Sequence, residues 1–165
     1  MKLGMNKAKG KRARGFRYNC QAAFTVIELL ISVAILSIVF SIAVPLYQGY
    51  IEEGRISVAV QDLRNISFIL DDALSSGGLP DSLTEVGINY DDPWGNPYQY
   101  LNLQDPSVNK GQVRKDKNLV PINSDYDLYS MGPDGDSKGP LTAKASRDDI
   151  VRANDGAFFG EAQYY

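Results

Sequence analysis

Twenty-three consecutive residues, Phe24 to Leu46, read FTVIELLISVAILSIVFSIAVPL and carry a single charge, Glu28. At about 1.5 Å per residue, a helix of that length crosses the roughly 30 Å hydrocarbon core of a bilayer. The run commits this part of the chain to a membrane helix before anything else about the fold is considered. It differs from a secretory signal, whose apolar core spans about 7–15 residues and ends in a small-x-small cleavage site. Here Val44-Pro45-Leu46 leads into Tyr47-Gln48. A carboxylate at the centre of such a run costs about 3 kcal/mol on insertion scales, so Glu28 points to function with a partner charge nearby.

Charge is divided sharply along the chain. Residues 1–23 hold seven lysines and arginines and no acid, whereas the other ten basic residues face twenty acidic ones. A basic block beside an apolar helix orients it with the N-terminus in the cytoplasm and the C-terminal part exported. A basic arm also suits nucleic acid, but a membrane segment follows directly and the remainder is acidic, so no nucleic-acid partner is expected. The one cysteine, Cys20, precedes the helix, which excludes an intrachain disulfide. With no histidine anywhere, serine–histidine and cysteine–histidine catalysis are excluded, as is histidine-ligated zinc. The chain is not expected to be an enzyme.

Helical periodicity continues beyond Pro45, which is expected to loosen or kink the helix because it removes a backbone donor. Ile56, Ala59, Val60, Leu63, Ser67, Leu70, Ala73 and Leu74 recur at three- and four-residue steps, while Glu52, Glu53, Arg55, Asp62, Arg64 and Asp71 mostly take the other faces. The stripe suits a face packed on the domain's own sheet, with a partner helix as the alternative. Ser75-Ser76-Gly77-Gly78-Leu79-Pro80 stops it. The two segments together make one helix of roughly 50 residues. A short turn or helix begins at Pro80 or Asp81. Asp92-Pro-Trp-Gly-Asn-Pro-Tyr98 reads as a tight turn, with Trp94 and Tyr98 as packing anchors and a strand starting at Tyr98, Tyr100 and Leu101. Residues 105–118, polar and of mixed charge, read as an exposed hairpin loop, and Leu119-Val-Pro-Ile122 leads to the next strand.

Tyr126, Leu128 and Met131 interleave with polar residues as in a strand. Asp125, Asp127, Asp134 and Asp136 put four carboxylates within twelve residues, a composition suited to calcium and its six to eight oxygen ligands. An EF-hand is excluded: counted from Asp125, the sixth residue is Ser130 instead of glycine and the twelfth is Asp136 instead of glutamate. Phe158, Phe159, Tyr164 and Tyr165 either pack on the sheet or form subunit contacts.

The string Ala23-Phe-Thr-Val-Ile-Glu28-Leu-Leu resembles the leader junction of type IV pilins and pseudopilins. The resemblance implies that a prepilin peptidase cuts between Ala23 and Phe24 and methylates the new amino group of Phe24. Glu28 then stands fifth in the mature chain, facing the terminal amine of a neighbouring subunit during assembly. Pro45 falls where family members commonly have proline. The family usually has glycine where this chain has Ala23. Asp92-Pro-Trp-Gly-Asn-Pro-Tyr98 and Asp127-Leu-Tyr-Ser-Met-Gly-Pro-Asp134-Gly, with the later Asp149-Ile150, resemble segments of the major pseudopilins of type II secretion. That similarity implies a calcium loop with Asp127 and Asp134 as side-chain ligands, then Asp136, and backbone carbonyls completing the shell. Calcium would close a long loop with little core of its own, as disulfides do in many pilins.

The expectation is therefore an α+β, pilin-like chain in which a long N-terminal helix packs on a small antiparallel sheet and an acidic loop follows. Its parts are a basic cytoplasmic leader (1–23), a transmembrane and filament-core helix (24–46) and a periplasmic globular domain (47–165). The implied protein is a pseudopilus subunit in the bacterial inner membrane. It would form a helical homo-oligomer, and its implied partners are minor pseudopilins, an inner-membrane assembly platform, the peptidase and lipid. Alternatives are a type IV pilus subunit, a plain membrane anchor and an anchored periplasmic enzyme.

Overall fold

The computed structural model describes residues 24–109 and 111–165, so the basic leader, Cys20 and Ala23 lie outside the described residues. The described residues divide into two units, the first ending at Ala43 and the second running Val44–Tyr165. Helix α1, Val26–Ser76, contributes to both and includes Pro45.

In the first unit α1 starts with a reciprocal cap. The Thr25 hydroxyl accepts the Glu28 N–H at 3.3 Å, and Glu28 Oε2 accepts the Thr25 N–H at 3.3 Å. Thr-x-x-Glu is the sequence pattern that satisfies two otherwise orphaned donors in this way. The hydroxyls inside the apolar run are also provided for. Ser32 donates to the Glu28 carbonyl at 2.7 Å, Ser37 to Val33 at 2.8 Å and Ser41 to Ile38 at 2.8 Å. Back-bonding of this kind leaves no hydroxyl unpaired in a medium without water. Among the described residues, α1 is the one helix long and apolar enough to cross a membrane.

In the second unit, α1 packs on a four-stranded antiparallel meander of β1 (Gln99–Asn102), β2 (Tyr126–Ser130), β3 (Ile150–Ala153) and β4 (Phe158–Glu161), in that order. This is the α+β arrangement expected from the sequence. Ala59, Leu63, Ile66 and Leu70 bury the helix stripe against Tyr98, Tyr126, Leu128 and Ile150. Their steps of four, three and four residues keep them on one face. Alternate residues of the sheet point the other way. Val151 and Ala153 form a second cluster with Ile122, Leu141 and Ala162, and Tyr129 and Phe158 pack on it. Strand β3 is thus buried along its whole length. A β3–β4 hairpin turns through Asn154, Asp155 and Gly156, all with positive φ (57°, 52° and 88°), the conformation that Asn, Asp and Gly tolerate best. The final aromatic residues divide: Phe158 and Tyr165 pack with tilted rings, centroids 5.2 Å apart, whereas Tyr164 is 72% exposed.

One expectation is overturned. The β1–β2 connection is not an exposed hairpin loop throughout: Val113 and Arg114 are buried. The segment returns to the sheet's second face, where the Lys115 N–H bonds the Gly139 carbonyl at 3.0 Å and the Leu141 N–H bonds the Lys115 carbonyl at 2.8 Å. The short turn or helix expected to begin at Pro80 or Asp81 is a 3-10 turn, Leu83–Val86.

Candidate functional site

Three groups of residues carry the chemistry singled out in the sequence. The first is the junction. Phe24 is 73% exposed, and Glu28 Oε2 also accepts the Thr25 hydroxyl at 3.2 Å. Within a single chain the carboxylate is held at the helix start by the cap and has no cationic partner among the described residues.

The second is the turn before β1. Asp92 is buried, and its Oδ1 accepts the backbone N–H groups of Trp94 at 3.0 Å and Asn96 at 2.9 Å. An aspartate bonding the backbone two residues on is the usual means of closing such a turn. Its Oδ2 accepts the Ser130 hydroxyl at 2.5 Å, and Asn96 Nδ2 donates to the Gly132 carbonyl at 3.2 Å. The two strings that the sequence singled out, 92–98 and 127–135, are therefore tied together in space. The turn is also tied to α1. Trp94 Nε1 donates to Glu52 at 2.8 Å and the Tyr98 hydroxyl donates to Asp62 at 2.9 Å. Burial and the Asp62 carboxylate both raise the Tyr98 pKa. Trp94 and Tyr98 are packing anchors, as expected, and each has a polar tip satisfied by an acid that the helix pattern had assigned to outer faces.

The third is the acidic segment. Asp127 is buried, with Oδ2 accepting the Arg114 N–H at 2.6 Å and Oδ1 accepting Asn123 Nδ2 at 2.9 Å. Asp134 is exposed and accepts the Asp136 N–H at 2.9 Å; Asp136 is also exposed and lies 3.6 Å from Lys138. Asp149, which the sequence marks only through its place in the Asp149-Ile150 pair, is fully buried. Its Oδ2 accepts Arg114 Nη2 at 2.5 Å and the Ser137 hydroxyl at 2.6 Å, while Oδ1 has no partner among the described residues. Desolvation pushes the Asp127 and Asp149 carboxyls up. The Arg114 and Asn123 hydrogen bonds oppose this at Asp127, and Ser137 and the Arg114 charge oppose it at Asp149. Gly132 (φ 65°) allows the chain to pass the Asp148 carbonyl so closely that a Cβ there would lie 2.3 Å from its oxygen.

Calcium requires six to eight converging oxygens. These side chains do not assemble such a shell. Asp127 already bonds two donors, Asp134 and Asp136 face solvent, and a guanidinium holds Asp149. Among the described residues, no three acidic side chains stand together as a metal-holding group.

A second buried arginine, Arg152 on β3, was not singled out in the sequence. Its Nη1 and Nη2 donate to the two Asp125 oxygens at 2.8 and 2.7 Å, its Nε donates to Ser67 Oγ on α1 at 3.2 Å, and it lies over the Tyr126 ring. Tyr126 in turn donates to Asp71 at 2.8 Å. Burial works to raise the Asp125 pKa, but Arg152 and the Tyr126 N–H outweigh it and hold the carboxyl below its ordinary value.

The description "prokaryotic N-terminal methylation motif" matches residues 18–44. The chain is 30% identical over 144 residues to the type II secretion system core protein G of Pseudomonas aeruginosa, covering 72% of this chain and 88% of that one. It is 29% identical to the protein of the same name from Aeromonas hydrophila over 71% of this chain and 86% of that one. It is 28% identical to the type IV major pilin protein PilE of Neisseria gonorrhoeae, covering 82% and 87% of the two chains. No solved structure matches the chain.

Proposed function

The chain belongs to the type IV pilin and pseudopilin family, and from that premise we propose that it is the major subunit of a type II secretion pseudopilus. The observation that carries this reading is the tie between the two protein-G-like strings, through Ser130–Asp92 and Asn96–Gly132. Together these build the turn that fastens β1 to the end of β2. The similarity to PilE supports a second reading, a subunit of a surface pilus.

In the proposed mechanism the chain assembles and does not catalyse. A prepilin peptidase cuts between Ala23 and Phe24 on the cytoplasmic side and methylates the Phe24 amine. The cut discards the basic leader and Cys20, leaving an acidic subunit without cysteine. The new amine supplies the positive charge that Glu28 lacks within one subunit. In a low-dielectric setting that attraction offsets the cost of an acid in lipid. Each incoming subunit docks through this pair onto a membrane assembly platform, with minor pseudopilins in the same filament. The apolar helices pack as the filament core, and filament growth pushes exported protein outward.

Mass spectrometry of the membrane-extracted protein should find a chain starting at methylated Phe24. Glu28→Ala should leave the protein in the membrane and strongly reduce filament yield. Filaments at the wild-type level from Glu28→Ala would remove Glu28 from the docking step.

A further inference from the structure

Arg114 brings a fixed positive charge to the place where the acidic segment folds back on the sheet. It lies in the β1–β2 connection, yet its side chain is only 4% exposed. The residue reaches three separate stretches of chain. Its own N–H holds Asp127 on β2 at 2.6 Å, and its guanidinium carbon stands 4.1 Å from the Tyr129 ring centroid. Nη1 donates to the Ser137 hydroxyl at 2.5 Å and the Lys138 carbonyl at 2.8 Å, while Nη2 donates to Asp149 just before β3. Ser137 itself donates to the same Asp149 oxygen, so the guanidinium, the loop and the strand entry form one closed group.

We propose that Arg114 is the built-in cation that closes the acidic C-terminal segment of this chain, tying Ser137 and Lys138 to Asp149 without a divalent metal. Asp149 is 0% exposed, and a carboxylate buried that deeply needs a compensating charge and hydrogen bonds. A guanidinium provides both. It stays charged, and its planar fork of donors serves a carboxylate, a hydroxyl and a carbonyl at once. A calcium ion approaching Asp149 would meet that guanidinium on the other carboxylate oxygen, cation against cation. Stabilisation by a bound metal also rises and falls with free metal, whereas a cation on the chain is always present. This inference concerns the fold alone, so it stands or falls separately from the choice between secretion and pilus.

The test uses the full chain in detergent micelles, with the fluorescence of Trp94, the only tryptophan, followed through thermal unfolding. The wild-type Tm should be the same in millimolar calcium and in excess chelator. Arg114→Met, which strands Asp149, should lower Tm by on the order of 10 °C. The double variant Arg114→Met/Asp149→Asn should recover a large part of that loss. A wild-type Tm that rises with calcium and falls with chelator would overturn the proposal, as would an Arg114→Met chain that melts like the wild type. If Arg114→Met does not fold, the wild-type calcium comparison alone decides.

Discussion

Asp125 and Asp149 are both aspartates bonded to arginines, and their pKa values move in opposite directions. Asp125 bonds Arg152 through both oxygens and is held below its ordinary value of 3.8. Asp149 uses one oxygen, leaves the other without a partner among the described residues, and is raised by desolvation. The consequences for stability differ in sign. A depressed carboxyl stabilises the fold above its unfolded pKa, and that contribution is lost as pH falls through the folded value. A raised one does the reverse, stabilising at low pH and losing that contribution as pH rises through its folded value. Asp125→Asn should therefore cost about 3 kcal/mol at neutral pH, because Arg152 stays buried without its partner. The variant should also lose much of the wild type's fall in stability below about pH 4. Urea unfolding at neutral and acid pH, read by Trp94 fluorescence, checks both. An unchanged acid dependence would contradict the role given to the pair.

At the scale of elements, α1 meets different demands along its length. Between Ala59 and Leu70 its stability comes from a stripe against the sheet, so Leu63→Ala should cost about 2–5 kcal/mol. Phe68, also on α1 but 75% exposed, should be replaceable by alanine within about 0.5 kcal/mol in the isolated subunit. Chemical denaturation of the two variants compares them directly. The helix and its buried face were legible because apolar residues recur at three- and four-residue steps, which can be read locally. The turn at Asp92 was legible from its prolines, glycine and asparagine. The burial of Arg114 was not legible. An arginine among polar residues reads as solvated, and only the return of the 113–115 segment to the sheet's second face, beside Gly139 and Leu141, encloses it. Asp134 and Asp136 differ from Asp127 in surroundings for the same kind of reason. Closeness in sequence put them in one group, but β2 carries Asp127 into the interior while the following loop leaves the other two in solvent. Strands β3 and β4 were hidden because burial does not alternate along either one, and neither follows a turn string as distinctive as the one at 92–98 that marks β1.

At the scale of the whole molecule, an apolar helix long enough to cross a membrane and a sheet domain with two buried arginines suit a building block for a filament. Family membership supports a pseudopilus or pilus subunit, and the reading proposed above is the pseudopilus. The most direct measurement is made on a strain lacking this chain, scored in parallel for secretion of exported proteins into the medium and for pili on the cell surface. The account predicts that secretion is lost, that surface pili remain, and that the wild-type gene restores secretion. Loss of pili with secretion intact would contradict it and assign the chain to the pilus instead.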